Sequence, residues 1–173
     1  MQLLRAATRG ALTGVLGTLA MDLLWFARYK QGGGQSNMLT WELAVGLSSW
    51  DDAPAPAKVG KLFYEGVLRR ELPASRAALT TNVMHWGYGI QWGMLFGLSM
   101  GSPHAVRLWH GPLLGALVWL AGYTILPIAG IYKPIWTYGL KSLWDDLSAH
   151  LVYGTSLAVA FALPDRPASR GSS

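Results

Sequence analysis

The spacing of formal charges restricts this chain more than any other feature. No Asp, Glu, Lys or Arg occurs for 30 residues between Arg76 and Arg107, for 25 between Arg107 and Lys133, or for 18 between Asp146 and Asp165. A helix that crosses a bilayer needs about 20 mainly apolar residues. A fourth such stretch lies between Arg9 and Arg28, broken only by Asp22. These intervals predict an all-α integral membrane protein with four transmembrane helices, near residues 10–28, 79–100, 109–131 and 145–164, in a single membrane domain over 1–173. Composition agrees: 13% of the residues are charged and 51% hydrophobic, where a soluble domain has about 25% charged.

The absence of cysteine removes disulfides, thiolate metal sites and cysteine nucleophiles from consideration. The net charge of +5 comes from basic residues scattered through loops and ends. Without a basic cluster no nucleic acid is expected, and the bilayer is the expected partner. Arg5 and Arg9 ahead of an apolar run resemble the start of a signal peptide. Asp22 interrupts that run and no Ala-x-Ala pattern follows, so the segment is expected to remain as the first helix.

Residues 31–76 are the one long polar stretch. Its opening Gly-rich turn is followed by a short helix expected from Leu39 to Leu47. An amphipathic helix is expected from Ala57 to Glu71, with Val59, Leu62, Phe63 and Val67 on one face. That second helix would lie flat at the headgroups or pack on the end of the bundle.

Internal repetition organises the rest. Gly10 and Gly14 open the first span as Gly111 and Gly115 open the third, and both segments end on Tyr-Lys, at Tyr29-Lys30 and Tyr132-Lys133. Each is followed by a helix that bears His-x-x-Tyr-Gly, at His85 to Gly89 and at His150 to Gly154. The chain therefore reads as two tandem helical hairpins related by a parallel repeat.

Helices in lipid approach one another through small residues repeated every four positions. Gly89, Gly93 and Gly97 form such a ladder, and stepping back four residues from Gly89 reaches His85. Gly10, Gly14, Thr18 and Asp22 are spaced the same way, as are His150, Gly154 and Ala158. Three helices thus each put one ionisable residue on a packing face, all toward the side of the long loop. The repeat counterpart of Asp22 is Tyr123. A polar cluster of Asp22, His85, His150 and Tyr123 is expected, with Asn82, Tyr88, Asp146 and Tyr153 near it and Asp22 as the carboxylate partner of His150.

Leu108 to Leu117, then Pro127, Gly130, Pro134 and His150-Leu151-Val152, resemble the YagU-like family of small bacterial inner-membrane proteins. Asn82, Met84-His85 and Phe96 are similar more loosely, and the likeness lies mainly in residues 79–153. The resemblance implies a multi-pass protein of the bacterial inner membrane with a link to acid-stress tolerance. It implies no reaction.

The residues favour a protein whose Asp/His/Tyr cluster handles protons or a small solute in pH stress. Four helices are few for a solute path, so a homo-oligomer or larger membrane complex is expected. The alternative is an accessory or assembly subunit without chemistry, its Gly ladders docking a partner helix. No enzymatic role, metal or cofactor is expected. Two histidines at matched depth leave haem b, or a metal held with Asp22, as a further alternative, although a Gly ladder brings helices too close to admit a haem.

Overall fold

A computed structural model describes residues 1–163; the last expected residue of the fourth span, Pro164, and the basic residues Arg166 and Arg170 lie outside them. Among the described residues the protein is all helical, with no strand. Six α-helices follow one another: α1 Gln2–Gln31, α2 Met38–Glu42, α3 Ala55–Leu68, α4 Ala77–Met100, α5 His110–Ile128 and α6 Leu140–Ala162. Short 3-10 turns at Ala74–Arg76, Pro103–Ala105 and Ile135–Thr137 join the later ones.

Local chemistry sets the boundaries. The Asn37 side chain accepts a hydrogen bond from the Thr40 amide and starts α2. Pro54 stands ahead of α3, which ends where Arg69 turns left-handed at φ 50°. Gly101, at φ 65°, ends α4, a conformation open to glycine without penalty. The helix expected from Leu39 to Leu47 is shorter than that, because Ala44 at φ 49° and Gly46 at φ 92° turn the backbone out of it.

The four long helices pack as two antiparallel pairs, α1 with α4 and α5 with α6, and α1 joins the pairs by lying against α6. Two of them, α1 and α5, are long and apolar enough to cross a membrane. α4 and α6 have 24 and 23 residues but fall short of the same apolarity. Gly, Thr, Trp and His lower the mean in α4, and Lys141, Asp145 and Asp146 lower it in α6.

Both pairs close through glycine. A side chain placed on Gly93 would meet Gly14 Cα at 2.7 Å, and one on Gly97 would meet Gly10 Cα at 3.0 Å. In the second pair, Gly111 faces Thr155 Cα at 2.7 Å and Ala158 Cβ at 3.1 Å, and Gly115 faces Leu151 Cα at 2.9 Å. Gly10 with Gly93 and Gly14 with Gly89 therefore have counterparts in Gly111 with Ala158 and Gly115 with Gly154. Between the pairs, Phe96, Leu114, Val118, Tyr153, Leu157 and Phe161 form the core. Arg9 closes one end: its Nε donates to the Phe161 carbonyl at 3.0 Å, a second nitrogen bonds the Leu163 carbonyl, and its guanidinium lies over the Phe161 ring.

α3 packs on α4. A side chain on its Gly60 would meet Met84 Cγ at 2.6 Å, while Leu62, Phe63 and Val67 remain exposed. The helix thus sits on the bundle and still presents an apolar face outward.

Candidate functional site

The α1–α4 register continues past its last glycine into a polar pair. Four residues beyond Thr18 on α1 stands Asp22, and four residues before Gly89 on α4 stands His85. His85 Nε2 lies 2.8 Å from Asp22 Oδ1. Asp22 is only 3% exposed, and its Oδ2 is buried without a hydrogen-bond partner. A carboxylate withdrawn from water in this way needs a paired charge or a proton.

α2 folds back over this pair. The Trp41 ring lies 5.5 Å from Phe26 and 6.1 Å from Tyr29, both on α1. The Tyr29 hydroxyl accepts from the Ser36 amide at 3.0 Å, which fixes the intervening turn. Glu42 at the end of α2 then accepts from Trp86 Nε1 at 2.9 Å. Burial, together with the nearby Asp22 charge, pushes the Glu42 carboxyl above the usual carboxylate range. Neither Glu42 nor Trp86 was expected in the cluster. Its one advance sign is an acidic residue beside an aromatic in an otherwise neutral part of the long loop.

His150 is differently placed. Its Nδ1 lies 2.9 Å from the Asp146 carbonyl and 3.5 Å from Asp146 Oδ1, so its carboxylate neighbour is one helical turn away on its own helix. Among the described residues no hydrogen bond or ion pair joins His150 to Asp22 or His85. The expected pairing of His150 with Asp22 is thus replaced by two separate His–Asp contacts. Tyr123 keeps company with the second: its ring lies 5.3 Å from Tyr132 and 5.4 Å from Tyr138. Burial, then the Asp146 charge and Tyr138, push the Tyr132 hydroxyl up to about 12.

The remaining expected members take structural positions. Tyr153 is buried; its hydroxyl donates to the Gly89 carbonyl at 2.6 Å and its ring fills the space beside Gly17, so one side chain ties α6 to α4 and α1. Asn82 donates to the Ala78 carbonyl of its own helix at 2.9 Å. Tyr88 is partly exposed and stands edge-on to Trp92. Arg28 donates to the Asp145 carbonyl at 2.6 Å and to Ser148 Oγ at 2.8 Å, holding the end of α1 against α6.

Among the described residues no three His, Asp or Glu side chains are grouped so as to hold a metal ion. Two histidines with Asp22 therefore do not form a metal site in this arrangement. Comparison with family models, with curated proteins and with solved structures returns no match in any of the three.

Proposed function

We propose that this chain is a multi-pass protein of the bacterial inner membrane, with α1, α4, α5 and α6 as four spans, and that its Asp22–His85 pair takes up and releases protons under pH stress. The membrane part rests on which residues face out. Water-soluble helices bury their large apolar residues. On α1 the buried residues are Ala6, Gly10, Thr13, Gly14, Gly17, Thr18 and Asp22, while Leu12, Leu16 and Leu23 are 64%, 50% and 52% exposed. Leu113, Leu117, Leu120 and Ile125 of α5 and Leu79, Val83, Leu95 and Leu98 of α4 are exposed in the same way. So large an apolar surface needs a cover, and acyl chains match its chemistry.

The proton part rests on one observation: a buried carboxylate with one oxygen on a histidine and the other unpartnered. An ionisable group within a span costs a few kcal/mol and is rarely kept without a use. Histidine changes charge between about pH 5 and 8, so the pair can hold a proton on either partner. Glu42, outside the spans and held by Trp86 beside Asp22, supplies the route between the pair and the loop side. A homo-oligomer belongs to this reading, because four helices leave little room for a solute path.

An accessory role through the Gly ladder would need another surface, since Gly89, Gly93 and Gly97 already receive Gly10, Gly14 and Thr18. The test is proton flux into proteoliposomes that contain a pH-sensitive dye. Flux that Asp22→Asn abolishes supports the reading. No flux at any pH, with acid survival unchanged in cells carrying Asp22→Asn, overturns it.

A further inference from the structure

A second opening lies apart from the Asp22–His85 pair, where the chain enters α6. It is a cleft of about 710 Å³, within the size range of small-molecule sites. Its walls come from several elements: Trp25 of α1, Tyr123 of α5, Tyr132 and Tyr138 of the connection, and the first turns of α6. The three tyrosine rings pack at mutual centroid distances of 5.3, 5.4 and 6.1 Å.

Two carboxylates reach this aromatic wall, and they are not equivalent. Asp145 Oδ2 is matched by Lys141 Nζ at 2.7 Å. Among the described residues no Lys or Arg pairs with Asp146 in that way. Its close partners are the Tyr123 hydroxyl and His150 Nδ1, which stands 2.9 Å from the Asp146 carbonyl and 3.5 Å from the carboxylate. A carbonyl only accepts, so Nδ1 carries a hydrogen and spends it chiefly there. The Asp146 carboxylate, with about four acceptor positions, has acceptor capacity left beyond Tyr123 and His150, and neither of these is a Lys or Arg.

We propose that this cleft binds an organic ammonium group, with Asp146 as counter-charge and the Tyr132, Tyr138 and Trp25 rings as its seat. Aromatic faces attract cations through their quadrupole, most strongly when water is excluded. The wall already does this once, since the Arg28 guanidinium lies 5.1 Å over the Trp25 ring. An anion would meet Asp145 and Asp146, with Lys141 already paired to Asp145 and Arg28 already bonded to the Asp145 carbonyl and Ser148, and a neutral apolar ligand would leave Asp146 unused. The ammonium has two possible sources, an amine-bearing lipid headgroup and a small water-soluble amine. The proposal uses neither Asp22 nor His85, so it stands or falls apart from proton handling.

The experiment is saturation-transfer NMR on the full chain in detergent, with choline and with its uncharged isostere 3,3-dimethylbutan-1-ol. Choline is expected to bind saturably and at least 10-fold more tightly than the isostere, and Asp146→Asn and Tyr132→Leu are each expected to weaken it about 10-fold. Equal binding of choline and isostere overturns the proposal, as does unchanged choline binding in a folded Asp146→Asn protein. The isostere comparison needs no variant, so it decides the matter even if a variant fails to fold. Repetition in nanodiscs identifies the source. Loss of choline binding in phosphatidylethanolamine but not phosphatidylglycerol discs assigns the lipid headgroup, and retention in both assigns the soluble amine.

Discussion

His85 on α4 and Asp22 on α1 meet at 2.8 Å because they occupy the next step of the same four-residue register that brings Gly93 against Gly14 and Gly89 against Thr18. Glycine sets how closely the two backbones approach, and the polar pair inherits that spacing. The geometry of the site is therefore a product of packing some distance along the helices.

Gly93→Ala is expected to destabilise the protein by roughly 1–3 kcal/mol, the usual range for overpacking, because the added carbon would meet the Gly14 backbone at 2.7 and 2.9 Å. Gly122→Ala on α5 is the contrast: nothing lies within 4 Å of the added carbon, and the helix gains about 0.5–1 kcal/mol. Thermal unfolding of both variants in one detergent checks the difference. A Gly93→Ala protein as stable as the parent would remove the glycine seam from the account.

Replacing His85 with Leu leaves the Asp22 carboxylate buried and unpaired, a change that typically costs about 3–5 kcal/mol. Asp22→Asn alone is expected to be milder, since no charge remains to be compensated. When both are replaced, the loss is expected to be smaller than the sum of the single losses. A double-mutant cycle with additive losses would show that the two side chains do not interact.

Glu42 gives a pH dependence of known sign. Its carboxyl is raised in the folded state, so the folded protein binds the proton more tightly than the unfolded chain. The stability this adds is fully present below the unfolded value, about 4.3 for glutamate, and is lost as pH rises through the higher folded value. The melting temperature of the parent should therefore fall relative to that of Glu42→Gln as pH rises from about 4 toward neutrality. A difference that stays flat, or rises, contradicts the placement of Glu42 beside Asp22.

The native sequence has no cysteine, so single cysteines report sidedness without background. With four spans, Ser48→Cys and Thr137→Cys should label from one side of the membrane and Ala105→Cys from the other. Labelling of all three from one side would leave too few crossings for the proposed topology.

The pairing of helices was legible in the sequence because its signal is local. Small residues four apart define a helix face whatever else the chain does, and both His-x-x-Tyr-Gly segments pair as the tandem pattern predicts. The partner of His150 was not legible. Depth along a helix can be counted from sequence, but the direction a residue faces depends on which neighbour occupies that side. Thr18 and Asp22 face α4, whereas Gly17, one residue off that register, is the position that faces Tyr153 of α6. Glu42 was missed for a related reason. It lies in a polar loop without periodicity, and its position depends on Trp41 packing against Phe26 and Tyr29, a contact no local pattern announces.

The seam between α1 and α4 brings backbone against backbone, with almost no side chains between. A joint of that kind has no rotamers to exchange, so it acts as a weld rather than a bearing, and sliding one helix past the other would separate the whole contact at once. Near Asp22 the cover on this frame is α2, five residues held by the Trp86 bond to Glu42 and by Trp41 against Phe26 and Tyr29. The buried carboxylate thus lies under a short cover of few contacts, on a frame whose seam is backbone.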